Sequence, residues 1–180
     1  MLELATIGPE LPTVAREAIA AWVSGEAPRE ALRPGAPAAP VFVTLRTSDG
    51  NLRGCIGSLV ASEVDVVAET ARSAVLAASR DPRFLPVTAG ELALLSIEVS
   101  VLLPDEAVES ERDLDPARFG VVVRDGQGRH GLLLPEVPGI DNAKLQIDVA
   151  RKKAGIDANA KVTLRRFAVL KFRETKAIRA

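Results

Sequence analysis

The 180-residue chain balances 23 Lys and Arg against 24 Asp and Glu, a net charge of -1, so no global positive field attracts phosphate backbones and nucleic acid is not an expected partner. Hydrophobic residues at 47% and charged residues at 26% fit one folded domain and exclude a disordered or fibrous chain. One Cys and one His exclude an internal disulfide and a His/Cys zinc site, although carboxylates alone still suit Mg²⁺ or Ca²⁺. Neither a basic leader nor an apolar run of roughly 20 residues occurs, which predicts a cytoplasmic protein that does not enter membranes.

Leu11, Val14, Ala15, Ala18, Ala21 and Trp22 recur at three- and four-residue intervals, predicting a helix that Gly25 stops. Four prolines in "APREALRPGAPAAP" (27–40) then break regular structure. From Val41 the period changes to two: "VFVTLR" (41–46) and "LRGCIGSL" (52–59) flank Asp49-Gly50, a hairpin signature. Ser62 precedes an apolar stripe of Val64, Val67, Ala68, Ala71, Ala74, Val75 and Ala78, with Asp65, Glu69 and Arg72 expected on the opposite side. With Asp65 it predicts a capping box, on a helix that ends near Arg80, before Pro82. "LLSIEVSVLL" (94–103) alternates Ile97, Val99 and Val101 against Glu98 and Ser100, a strand exposed on one face.

The second half follows the same order. "FGVVVR" (119–124) and "HGLLLP" (130–135) flank "DGQGR" as another hairpin, Asp141 is positioned to cap a helix through Ala154 before Gly155, and "KVTLRRFAVLKF" (161–172) reads as the last long strand. The two Asp-Gly pairs stand 76 residues apart (49 to 125). The expected fold is a single α+β domain over 1–180: an N-terminal helix within 1–26, a loop at 27–40, and duplicated hairpin-helix-strand units at 41–103 and 119–173. The sheets should be mostly antiparallel, in two lobes with a cleft lined by the LRGCIG strand.

In a regular strand Leu52, Gly54 and Ile56 share one face, and Arg53, Cys55 and Gly57 the other. A guanidinium beside a thiol favours the thiolate, the nucleophilic form. Gly54 and Gly57 admit close approach of a backbone or ligand, and a bulge at either would turn the thiol outward. Cysteine more commonly packs as a small buried apolar residue. His130 is the one side chain suited to act as a base near neutral pH, and its hairpin position corresponds to the neighbourhood of Cys55, although it also fits a solvated residue after a turn. In "DPRF" (81–84), Asp81 can bond the turn, Arg83 can project toward a ligand, and Phe84 can plug the core. Glu136 is a carboxylate at a strand exit. Arg151, Lys152 and Lys153 complement a helix C-terminus.

"FVTL", "LRGCIGSL", "DPRF", "EVSVL", "GLLLPEV", "KAGI" and "RRFAVLKF", in this order across residues 41 to 173, resemble the AMMECR domain family, whose hallmark is the hexapeptide at Leu52–Gly57. The resemblance implies a duplicated α+β arrangement around that hexapeptide. It is also similar to protein A of the AmmeMemoRadiSam system, which implies a Memo-type protein and a radical-SAM protein as partners. "GIDNAKLQIDVA" (139–150) departs from the family, many members of which carry a tryptophan or aromatic-rich helix start there. Two functions follow. In one, the protein is a partner or subunit that presents Arg53, Gly54, Gly57, Arg83 and Glu136 to other proteins or a small molecule. In the other, it is an enzyme using Cys55 as nucleophile or redox group on a small anionic substrate. No glycine-rich phosphate loop precedes a helix, so no catalytic constellation is completed, and no cofactor and no metal-ligating residue is assigned.

Overall fold

The computed structural model describes residues 2–26 and 33–174; part of the proline-rich stretch, residues 27–32, lies outside them. In chain order the elements are helices α1 (Leu2–Ile7) and α2 (Leu11–Val23), strands β1 (Val41–Arg46) and β2 (Leu52–Gly57), helices α3 (Val66–Ser79) and α4 (Ala89–Leu92), and strand β3 (Ser96–Leu102). After these come β4 (Glu106–Val108), β5 (Gly120–Asp125), β6 (His130–Leu133), α5 (Ala143–Lys153), β7 (Val162–Phe167) and β8 (Val169–Arg173). The chain divides into two compact units: one runs to Leu102 and resumes at Leu170, the other is Leu103–Val169.

The first unit is a four-stranded sheet in the order β2-β1-β3-β8, with β1 antiparallel to both neighbours. Alternation sends Val41, Val43, Leu45, Ile97, Val99 and Val101 to one face, all at most 1% exposed, where they meet Leu11, Ala15 and Ile19 of α2 and Val66, Ala74 and Ala77 of α3. Each such aliphatic side chain stabilises the fold by about 1.5–3 kcal/mol. The second unit orders its strands β4-β7-β5-β6 and buries Leu114, Val121, Val123, Leu133, Ile147, Ala150 and Ile156 together.

The duplication holds in detail. Read from the hairpin's outer strand, the sheets are β2-β1-β3-β8 and β6-β5-β7-β4, each with its helix following the hairpin. Both hairpins turn alike: Thr47 N–H donates to Asn51 O and Gly50 N–H to Thr47 O, and Asp125 N–H donates to Arg129 O and Gly128 N–H to Asp125 O. The equivalent left-handed glycines are therefore Gly50 and Gly128, both at φ 82°, 78 residues apart. Gly126 has no positive φ, so the second Asp-Gly pair is not the turn's pivot. Asp65 and Asn142 cap α3 and α5 through their side chains, in place of the expected Ser62 and Asp141. Four residues further on, Glu69 and Gln146 are both fully buried. Glu69 Oε2 accepts from Ser62 N, Ser62 Oγ and Glu63 N, and Gln146 Nε2 donates to Phe119 O. The expected last strand divides at Ala168 into β7 and β8, which belong to different sheets.

Candidate functional site

The site builds from β2, the outer strand of its sheet. Such a strand leaves alternate N–H groups facing away from its neighbour, and each needs an acceptor. The Cys55 N–H finds one 2.8 Å away in Asp81 Oδ2, on the loop that follows α3. That carboxylate is buried, its side chain 3% exposed. It is also gripped by Arg83, whose Nε and Nη2 donate at 2.9 and 2.6 Å and whose backbone N–H donates at 3.1 Å. The Arg83 bonds first, and the backbone N–H groups of Cys55 and Arg83 after them, hold the Asp81 carboxyl at a pKa of about 2 against the cost of burial. Arg83 is held more firmly protonated in return, chiefly by Asp81, and Cys55 adds a further electrostatic contribution.

Register makes Arg53 special. Leu45 pairs with Gly54 and Arg46 with Leu52, so Arg53 is a bulge residue with no partner in β1. The equivalent pairs Val123 with Gly131 and Arg124 with His130 leave nothing between. The 78-residue spacing of the turns accordingly becomes 77 at the glycines (54 to 131), and Arg53 is the residue gained. Its Nε and Nη2 donate to Glu91 Oε1 and Oε2 at 3.0 and 3.3 Å. Glu91 also accepts from Thr88 N at 2.9 Å and closes the capping box of α4. Its carboxyl is pulled down mainly by Arg53, then by the Thr88 N–H. Both guanidiniums stand over the Phe84 ring, Arg53 at 5.7 and Arg83 at 5.4 Å from its centre, a cation–π contact on each. The half-buried Cys55 Sγ lies 3.4 Å from Thr44 Oγ1 on β1.

The expectations separate here. A Cβ on Gly54 would run into the Ala77 carbonyl oxygen, and one on Gly57 into Val41 O and Phe42. Both glycines therefore admit this unit's own backbone, and neither is the bulge. The bulge places Leu52 on the face of Cys55, because Leu52 opposes Arg46 while Cys55 opposes Thr44. Arg83 is anchored to Asp81, and Phe84 is half-buried. Glu136 belongs to the second unit, exposed, at φ 57° with its N–H on Pro116 O. His130 is also in that unit, exposed, its Nδ1 3.4 Å from Gly128 O. Thr44 and Glu91 were not anticipated. The Thr88-x-x-Glu91 capping pattern was the one local signal for Glu91, whose partner Arg53 is 38 residues away. Among the described residues no group of three or more His, Cys, Asp or Glu comes together to hold a metal, and no helix is long and apolar enough to cross a membrane.

The class the fold defines is α+β with two antiparallel sheets, and Cys55 stands beside two arginine-carboxylate pairs on the bulged outer strand of one of them. The AMMECR1 family profile matches residues 12–176, and the chain belongs to that family. A Thermotoga maritima protein is 40% identical over 136 residues, covering 75% of this chain and 78% of its own. A Clostridium acetobutylicum protein is 37% identical over 135 residues, 75% of this chain but 28% of its own length. For a Methanothermobacter thermautotrophicus relative, 46% identical over 105 residues, the match spans 54% of this chain and 52% of the relative. The crystal structure of an uncharacterised Pyrococcus horikoshii protein superposes with a TM-score of 0.81 at 31% identity, covering 93% of this chain and 91% of that one.

Proposed function

We propose that the protein is a non-catalytic partner or subunit of a larger assembly, and that the surface around Arg53, Cys55, Arg83 and Phe84 is what its partners recognise. One observation carries this reading: the charges around Cys55 are already matched within the unit. Arg53 is bidentate to Glu91 and Arg83 to Asp81, an arrangement that suits a rigid presented surface and sets no imidazole of the same unit beside the thiol. The Clostridium relative supports it, because the matched region there is 28% of a longer chain. The family resemblance points to Memo-like and radical-SAM proteins as the other members, with a small molecule as a further ligand. The test is co-expression with those two proteins of the same genome, followed by affinity purification. The complex should survive Cys55→Ser and weaken about tenfold or more in Arg83→Ala. Failure of the wild-type protein to bind either partner would sink the proposal.

A second reading, an enzyme with Cys55 as nucleophile or redox group on a small anionic substrate, is favoured by the electrostatic coupling of Arg83 to Cys55 and by the Thr44 hydroxyl at the sulfur. Alkylation separates the two. Iodoacetamide labelling of Cys55 in the native protein much faster than global unfolding, with loss of a measured turnover in Cys55→Ser, favours this second reading.

A further inference from the structure

Each sheet ends in two outer strands, and an outer strand presents unpaired backbone N–H and C=O groups unless something blunts it. Three of these edges are blunted. Strand β2 carries the bulge at Arg53, and its outward Cys55 N–H is taken by Asp81. Strand β8 carries Lys171 and Arg173, and β4 is three residues long with its Glu106 paired to Arg166. The remaining edge, β6 (His130–Leu133), holds no Asp, Glu, Lys, Arg or Pro. Its outward groups follow from the ladder. Asp125 N–H donates to Arg129 O, and hydrogen-bonded pairs alternate along an antiparallel ladder. The bonded pairs are therefore Asp125 with Arg129, Val123 with Gly131 and Val121 with Leu133, so His130 and Leu132 turn their N–H and C=O away from β5. Among the described residues, none of those outward groups meets a hydrogen-bond partner. By the 77-residue correspondence of Gly54 and Gly131, Leu132 is the counterpart of Cys55. The counterpart of Asp81 is Ala158, which has no side-chain acceptor, so the edge that is sealed in the first unit is open in the second.

We propose that β6 is a pairing edge for a second copy of this chain, the two strands running antiparallel about a two-fold axis at Gly131. In this register His130 of each copy opposes Leu132 of the other, and their N–H and C=O groups bond in both directions. The edge is its own complement. Gly131 sets no side chain between the copies where the strands come closest, and no carboxylate, Lys or Arg of β6 meets its own image. An unstructured peptide would lose its conformational freedom on pairing here, whereas β6 is already held in place by β5 and α5. The inference does not rest on the reading of the Cys55 surface.

Sedimentation velocity of the full chain should show a reversible dimer with a Kd of about 0.1–1 mM, as so small an interface implies. Amide exchange read by NMR should slow at His130 and Leu132 as concentration rises, while Gly131, already bonded to Val123, stays unchanged. Leu132→Pro removes an outward N–H without touching the ladder to β5 and should abolish the dimer. Should that variant fail to fold, Leu132→Lys should weaken association at least about fivefold, and adding His130→Glu should return it to within about twofold of wild type, because the register sets these side chains opposite each other. Cys55→Ser should change nothing. A chain that stays monomeric at about 1 mM overturns the proposal. So does a dimer that survives Leu132→Pro in a folded chain, one that Cys55→Ser dissolves, or one that leaves exchange at Leu132 unchanged.

Discussion

Gly54 and Cys55 are adjacent, and the structure assigns them different work. The Gly54 Cα lies under the Ala77 carbonyl of α3, a backbone atom that cannot rotate away, so Gly54→Ala should cost about 1–3 kcal/mol by urea unfolding. Cys55→Ser, half-buried beside a hydroxyl, should cost less than about 1 kcal/mol. Equal losses would show that the sulfur packs as tightly as the glycine. Asp81 yields a prediction with pH. Its pKa falls from 3.8 to about 2 on folding, so the unfolded chain binds the proton more tightly. The contribution is present above pH 4 and lost as pH falls from about 4 to about 2. It amounts to at most about 2 kcal/mol, because Arg83 is half exposed. Asp81→Asn should flatten the stability profile in that window, and urea melts at pH 3 and pH 7 check it. The hexapeptide and "DPRF" were legible as local patterns. Their junction through one carboxylate, 26 residues from the Cys55 N–H it accepts, was not, because only the fold brings the outer strand to that loop.

Among the elements, alternation and periodicity located both hairpins and the three long helices, yet neighbouring capable residues left the ends undecided. Ser62 and Asp65 both suit a cap; the backbone at Asp65, φ -148° and ψ 167°, aims its carboxylate at Val67 N and Ala68 N, while Ser62 is taken up by Glu69. Asp141 and Asn142 divide in the same way. The split of the last strand left no mark because both halves alternate alike and differ only in their partners. The bulge at Arg53 was illegible for a related reason: an inserted residue shows only against an uninterrupted ladder, and the second unit provides that ladder. The paired glycines make their own prediction. A Cβ on Gly131 would meet the Ala150 carbonyl oxygen, as one on Gly54 would meet that of Ala77, so Gly131→Ala should destabilise by about 1–3 kcal/mol as well. A measured loss below about 0.5 kcal/mol by urea unfolding would mean that α5 yields where α3 does not.

At the scale of the whole chain, the first unit is completed only by residues that follow the second. Strand β8 extends the sheet beside β3, and the Glu174 N–H donates to Ile97 O. The Phe172 ring fills the space over Gly8, where a Cβ would strike it. Arg16 of α2 pairs with Glu174 and donates to Leu92 O at 2.7 Å and Leu95 O at 2.6 Å, the C-terminal end of α4. Those contacts tie the returning segment to the helix whose Glu91 holds Arg53. Sequence separation this large makes the closure slow to form. Residues Leu103–Val169, by contrast, form their core among themselves. Truncation after residue 168 should therefore strip amide protection from β1, β3 and α2 by uncovering the β3 edge, while β5, α5 and β7 keep theirs. Hydrogen exchange read by mass spectrometry distinguishes the two sets. The milder Phe172→Ala, a partly buried ring, should lower the opening free energy of the first set by about 2 kcal/mol and leave the second within about 0.5 kcal/mol. Equal loss of protection in both sets would show that the chain unfolds as a single cooperative body.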